Sequence, residues 1–192
     1  MAGHGRVVLA TVLLGASACR RDASSDAPRD VTKADTSTRA ISAAAPGTSI
    51  TVATFDGVGR ARIGTTMTQL RDIGPIPDEP AAAGCRIIPL EWLPAGVRVM
   101  LSHDTIARVD VDSTSTVRTV DGAGVGDSET RIRQLYTKVQ TQPHKYVTNG
   151  HYLSVASPND STRRIVFETD GITVRRYRVG RQPEVDFVEG CG

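Results

Sequence analysis

The chain is poor in aromatic side chains, with one Trp, three Phe and four Tyr in 192 residues. Its core must therefore come from Val, Ile and Leu. It holds only three cysteines, and no Cys-x-x-Cys or His-x-His spacing lies near them, which argues against a zinc site. Charge of either sign is not in excess: 23 Lys and Arg stand against 21 Asp and Glu, a formal net of +2, so nothing points to a nucleic-acid partner. No serine sits in a Gly-x-Ser-x-Gly elbow, and no cysteine is left over as a nucleophile. Gly122-Ala123-Gly124-Val125-Gly126 is not followed by a phosphate-binding pattern and reads as a flexible link. Asp110-Val111-Asp112-Ser113 begins like a calcium loop but lacks the central Gly and the closing Glu. The expectation is a protein with no catalytic residue, no metal and no cofactor.

What is present starts at the first residue. Arg6 precedes a short apolar run, Val7-Val8-Leu9-Ala10 and Val12-Leu13-Leu14, and the small residues Ala16-Ser17-Ala18 follow. This is the pattern of an export signal, and the run is too short to cross a bilayer as a permanent helix. Leu13-Leu14-Gly15-Ala16-Ser17-Ala18-Cys19 resembles a bacterial lipoprotein signal, with Ala16 where Leu is usual. Cleavage then leaves a lipid on Cys19; simple cleavage after Ala18 would instead leave Cys19 as a free thiol. An unpaired thiol in an exported protein needs a reason. Lipidation supplies one and leaves Cys85 and Cys191 to form a disulfide in an oxidising compartment. The expected address is extracytoplasmic, on a membrane that faces the periplasm or the cell exterior, otherwise secreted.

Residues 1–18 are thus read as the signal and residues 19–48 as a disordered tether, because 20–47 is rich in Ala, Ser, Thr, Asp, Arg and Pro and cannot bury enough surface to offset its ordering entropy. Two α+β units are expected beyond it, over 49–121 and 122–192, each of short helices packed on an antiparallel meander. A repeat supports the division. Ile63-Gly64-Thr65-Thr66-Met67-Thr68-Gln69-Leu70 parallels Val125-Gly126-Asp127-Ser128-Glu129-Thr130-Arg131-Ile132. Thr66 with Gln69 makes a capping box, Met67, Leu70 and Ile73 share a face, and Gly74-Pro75 stops the helix. In the second copy Asp127 or Ser128 caps, and Ile132, Leu135 and Tyr136 form the buried stripe.

Strands are expected at 86–88, 97–102 and 105–111, with a turn at His103-Asp104, and at 164–168 and 172–179, with a bulge near Arg175-Arg176 where the apolar phase shifts. Asn149-Gly150 predicts a two-residue hairpin between 145–148 and 151–155, and a last strand is expected over 185–188. Alternation along these strands means one buried and one wet sheet face.

Short helices opening on a Gly-Thr or Gly-Asp-Ser signal, each followed by a meander, in tandem behind a lipoprotein-like leader, resemble two exported groups. One is the small lipoproteins of the outer-membrane barrel-assembly machinery; the other is the secreted β-lactamase inhibitor protein. The resemblance covers about residue 59 to the C-terminus and implies a non-catalytic, protein-binding fold. No contact residue of either group has a match to carry over.

The wet face is the candidate binding surface. Arg98, Met100, Arg108, Lys145, Tyr152 and Arg164 are its expected contacts, with Ile106, Val147 and Val166 among them, since Tyr and Arg suit an interface. The expected partner is another envelope protein. An inhibitor of an exported hydrolase would use the same face. A small hydrolase or carbohydrate-binding domain would instead use His144, His151 and Tyr152.

Overall fold

The computed structural model describes residues 51–77 and 84–191. The export signal, Cys19 and the tether lie outside the described residues. The architecture is α+β. A small sheet comprises β1 (Val52–Thr54), β2 (Gly57–Val58), β3 (Ala61–Arg62) and β7 (Arg118–Thr119), in the order β3-β2-β1-β7. These strands are two or three residues long, too short for alternation to reveal them. The main sheet comprises β4 (Cys85–Pro89), β5 (Val97–Ser102), β6 (Thr105–Val111), β8 (Gln140–Pro143), β9 (His151–Ala156), β10 (Arg163–Thr169) and β11 (Val174–Arg181). Its order is β4-β5-β6-β11-β10-β9-β8, antiparallel throughout. Two meanders thus meet edge to edge, with Val109 opposite Val179 in the β6–β11 pair.

One face of the main sheet is dry. Val99, Val109, Val179, Ile165, Phe167 and Leu153 are fully buried there and share one core with Leu70 of α1 (Met67–Ile73) and Ile132 of α2 (Glu129–Leu135). Each seven-residue helix is too short to be stable alone and holds through this packing and its cap. Thr66 and Gln69 form both bonds of the expected capping box, and the Ser128 side chain accepts from the Arg131 amide. The two helix entries are tied to the sheet alike. Gly64 N–H donates to the Ile106 carbonyl at 2.8 Å, Ile106 N–H to Thr65 at 2.9 Å, and Met67 N–H to Asp104 at 2.8 Å. At the second entry Gly126 donates to Val174 at 2.9 Å, Val174 to Asp127 at 2.8 Å, and Glu129 to Ile172 at 3.0 Å.

Four expectations are corrected. Ile106 does not point to the wet side: the β5–β6 register passes from Met100↔Arg108 to Leu101↔Ile106, so Ala107 is an extra residue and Ile106 turns into the core. The Asn149-Gly150 hairpin is absent. β8 lies earlier, pairing Pro143 with His151 and Gln142 with Tyr152, and residues 144–150 form a loop. The His144 ring organises that loop, its Nδ1 accepting from the Tyr146 and Val147 amides at 3.1 and 3.2 Å. Only Asn149 of the dipeptide has positive φ, whereas His103 and Asp104 both do, at 49° and 57°, so the two-residue turn is at the latter pair. Residues 185–188 are not a strand; they follow into and out of a 3-10 helix, Glu184–Asp186. The fourth correction concerns the wet face and is given below. The bulge falls as expected: Glu168↔Arg176 is followed by Thr169↔Val174, leaving Arg175 over.

Candidate functional site

The second face of the main sheet carries Arg98 and Met100 of β5, Arg108 and Asp110 of β6, Arg176 and Arg178 of β11, Arg164, Val166 and Glu168 of β10, and Tyr152 and Ser154 of β9. Most of it is not wet. The C-terminal segment, residues 182–191, lies across it as a strap. Val185 is fully buried and packs with Tyr152 and Val166 into a second, smaller core, joined by half-buried Val188. At the end of the strap the expected Cys85–Cys191 disulfide is formed, with Cα atoms 5.6 Å apart. This covering corrects the expected exposure of Met100, Arg108, Tyr152 and Val166, which are all buried. Arg98, Lys145 and Val147 are exposed and Arg164 is half-buried.

The buried arginines hold the strap by its backbone. Arg108 donates from one terminal nitrogen to the Glu184 and Phe187 carbonyls at 3.0 and 2.7 Å, and its Nε faces Asp110 at 3.0 Å. Burial pulls the Arg108 pKa down from its ordinary value, against the pull of Asp110. Arg178 donates from Nε to the Val185 carbonyl at 2.5 Å and from a terminal nitrogen to Glu168. Glu168, 3% exposed, also receives Arg176 Nε at 2.6 Å and faces His144 Nε2 at 3.4 Å. Burial by itself would raise this carboxyl; Arg178 first, then Arg176, outweigh it and hold it below the usual carboxylate range. Tyr152 stacks on the His144 ring, 4.5 Å away, and the Arg178 guanidinium lies 5.7 Å from its centroid.

The loop that carries His144 is pinned to the strap as well. Glu189 accepts from Lys145 Nζ at 2.5 Å and from the Tyr146 hydroxyl. These contacts raise the Lys145 pKa, the Glu189 bond being the largest cause. Lys145 and Phe187 line one open hollow beside the disulfide. Tyr146 and Val147 on the loop and Phe187 on the strap remain 61%, 39% and 42% exposed.

His151 belongs elsewhere. Its Nδ1 stands 2.7 Å from Glu129 Oε1 at the start of α2, and Thr169 Oγ1 donates to the same oxygen at 2.5 Å. Burial would raise the Glu129 carboxyl; the Thr169 and His151 hydrogen bonds hold it low. The structure therefore brings His144 and Tyr152 together and keeps His151 with a different carboxylate. Among the described residues no three His, Cys, Asp or Glu side chains stand together as a metal site requires. Glu168, Arg178, Tyr146 and Phe187 escape a reading by strand periodicity. The available signal for the first pair is an acid between Phe167 and Thr169 in an apolar strand, with Arg176 and Arg178 on the next. Comparison with family models, curated proteins and solved structures finds no match to this chain.

Proposed function

We propose that this is an exported, lipid-anchored protein of two tandem helix-plus-meander units that binds another envelope protein and catalyses no reaction. The binding surface is the junction of loop 144–150 with the strap. The observation that carries this is the exposure of Tyr146 on the loop and Phe187 on the strap, two segments that are fixed to each other through Glu189 and share a hollow lined by Lys145 and Phe187. Aromatic anchors preorganised in this way lose little side-chain freedom on binding. The buried ionic groups favour the same reading, since Glu168, Arg108 and Arg178 direct their polar atoms at each other and at the strap. The tandem reading, and with it the likeness to the barrel-assembly lipoproteins and the β-lactamase inhibitor protein, is supported by the three matching hydrogen bonds at each helix entry. The leader and Cys19 support export and anchoring.

Photo-reactive residues placed at Tyr146 and Phe187, with Val120 and Ile172 as exposed apolar controls, test the surface in intact cells. The expected result is one adduct, formed from 146 and 187 only. No adduct, or equal adducts from all four positions, overturns the assignment. Mass spectrometry of the mature N-terminus and the partitioning of a Cys19→Ser variant test the anchor; an unlipidated Cys19 refutes it.

A further inference from the structure

We propose that the hollow between the strap and strands β4, β5, β6 and β11 binds a monocarboxylate, either a small organic acid or the free C-terminus of a peptide chain. This goes beyond the protein-binding surface and does not depend on it. The hollow has a volume of about 320 Å3, at the small end of ligand clefts. Four arginines line it: Arg98, Arg108, Arg176 and Arg178. Arg108 and Arg178 are diagonal neighbours on β6 and β11, since Arg178 pairs with Asp110 and Gly180 with Arg108. Each commits Nε and one terminal nitrogen to the strap and to a carboxylate. The second terminal nitrogen of each has no hydrogen-bond partner among the described residues, and neither is closed off from solvent. An unmet donor on a guanidinium only 4% exposed costs desolvation that an anion would offset. Arg98 and Arg176 are exposed. Arg176 donates only Nε, to Glu168. Arg98 makes no hydrogen bond or ion pair among the described residues, and the carboxylate it acts on is Asp112.

The chemistry of the lining selects the ligand. Donors are left over, while every lining carboxylate already has a partner. Asp110 receives Arg108, Glu168 receives Arg176 and Arg178, and Glu189 receives Lys145. Asp112 accepts from the Thr114 amide and hydroxyl at 2.9 and 2.6 Å. A ligand that only accepts fits that surplus. Charge sets how negative the ligand is. Asp110 offsets Arg108, Glu168 offsets Arg178, and Glu189 offsets Lys145. Arg98 and Arg176 then stand against Asp112 alone, two positive charges against one negative. The hollow thus calls for a monoanion, and a phosphate monoester, with a charge of about −2, would overshoot. Guanidinium forks also match the two in-plane oxygens of a carboxylate. Ile87 and Val188 line the same hollow and offer apolar contact to a short aliphatic group next to that carboxylate.

The test is an NMR titration of the full chain, isotopically labelled, with propionate, N-acetylvaline and N-acetylvalinamide, read on the arginine Nε–H signals. Inorganic phosphate is run as the more highly charged probe. The indole N–H of Trp92, which does not line the hollow, is the control. At least one of the two acids is expected to shift the Arg98 and Arg176 signals with a Kd of about 1 mM, and the amide to leave them in place. Tighter binding of N-acetylvaline than of propionate assigns the site to a chain end; equal or weaker binding assigns it to a small acid. Arg98→Gln and Arg176→Gln, at exposed positions where folding is not at risk, should each weaken binding about tenfold, read on the remaining arginine signals. The proposal is overturned if neither acid moves the signals, if the amide or phosphate binds as tightly as the acids, if the Trp92 signal moves with them, or if binding is undiminished in both variants.

Discussion

Replacing Glu168 by Gln is expected to cost the folded state about 3 kcal/mol. Removing one partner of a buried ion pair costs about 3–5 kcal/mol, because the other charge stays buried without compensation. Here that charge is Arg178, whose side chain is only 5% exposed. The low end applies for two reasons. Gln keeps an acceptor oxygen for Arg178, and Arg176, 57% exposed, turns to water at little cost. With a urea slope of about 2 kcal/mol per molar, the unfolding midpoint should fall by about 1.5 M. Replacing both Glu168 and Arg178 by Met should recover most of the loss, leaving about 1 kcal/mol for the hydrogen bond from Arg178 Nε to the Val185 carbonyl. Urea melts of the two variants and the parent decide the matter. A loss under about 1 kcal/mol in Glu168→Gln, or a double variant less stable than the single, would refute the account of this network. Acid offers a second readout. The Glu168 pKa is depressed in the folded state, so its contribution is complete above the unfolded-state value of about 4.3 and is lost as pH falls through the lower folded value. The parent should therefore lose stability steeply below about pH 4, and Glu168→Gln less steeply.

Opening the disulfide by Cys85→Ser with Cys191→Ser frees a loop with a sequence separation of 106. Chain entropy sets the loss at up to about 4.7 kcal/mol, and urea melts of oxidised and reduced parent should show the same difference; equal midpoints would refute it. Gly180 of β11 pairs with Arg108 of β6, and an added Cβ would sit 2.7 Å from the Ala107 carbonyl oxygen. Gly180→Ala should cost about 1–3 kcal/mol by overpacking, read as a lowered melting temperature; an unchanged one sinks the clash. Thr66→Ala removes one half of the α1 capping box and should cost about 1 kcal/mol; a melt indistinguishable from the parent would mean the cap is redundant with the packing of Leu70.

Elements whose evidence is local were legible. The capping box at Thr66 and Gln69 needs four residues to be recognised and forms as written. Strands β5 and β6 have the bounds that alternation predicts, and the extra residue Arg175 is visible as a slip of apolar phase. The hairpin at Asn149-Gly150 fails for a physical reason. In its place His144 caps the amides of Tyr146 and Val147, two and three residues on, and stacks on Tyr152, a use of the ring that turn propensity does not register. Ile106 was misplaced because one inserted residue, Ala107, inverts every inward and outward assignment before it.

The chain's order of residues determined by itself the α+β alternation, the helix starts and most strand positions, since each follows from short-range periodicity or capping; the Cys85–Cys191 pairing was expected only once Cys19 was set aside for a lipid, and the structure forms it. Only the tertiary structure decided which sheet face stays wet. An arginine or tyrosine at an outward strand position is exposed or buried according to what lies over it, and here a distant C-terminal strap supplies carbonyls for Arg108 and Arg178 and a valine for Tyr152. A pattern of period two carries no information about a segment that arrives from so far along the chain.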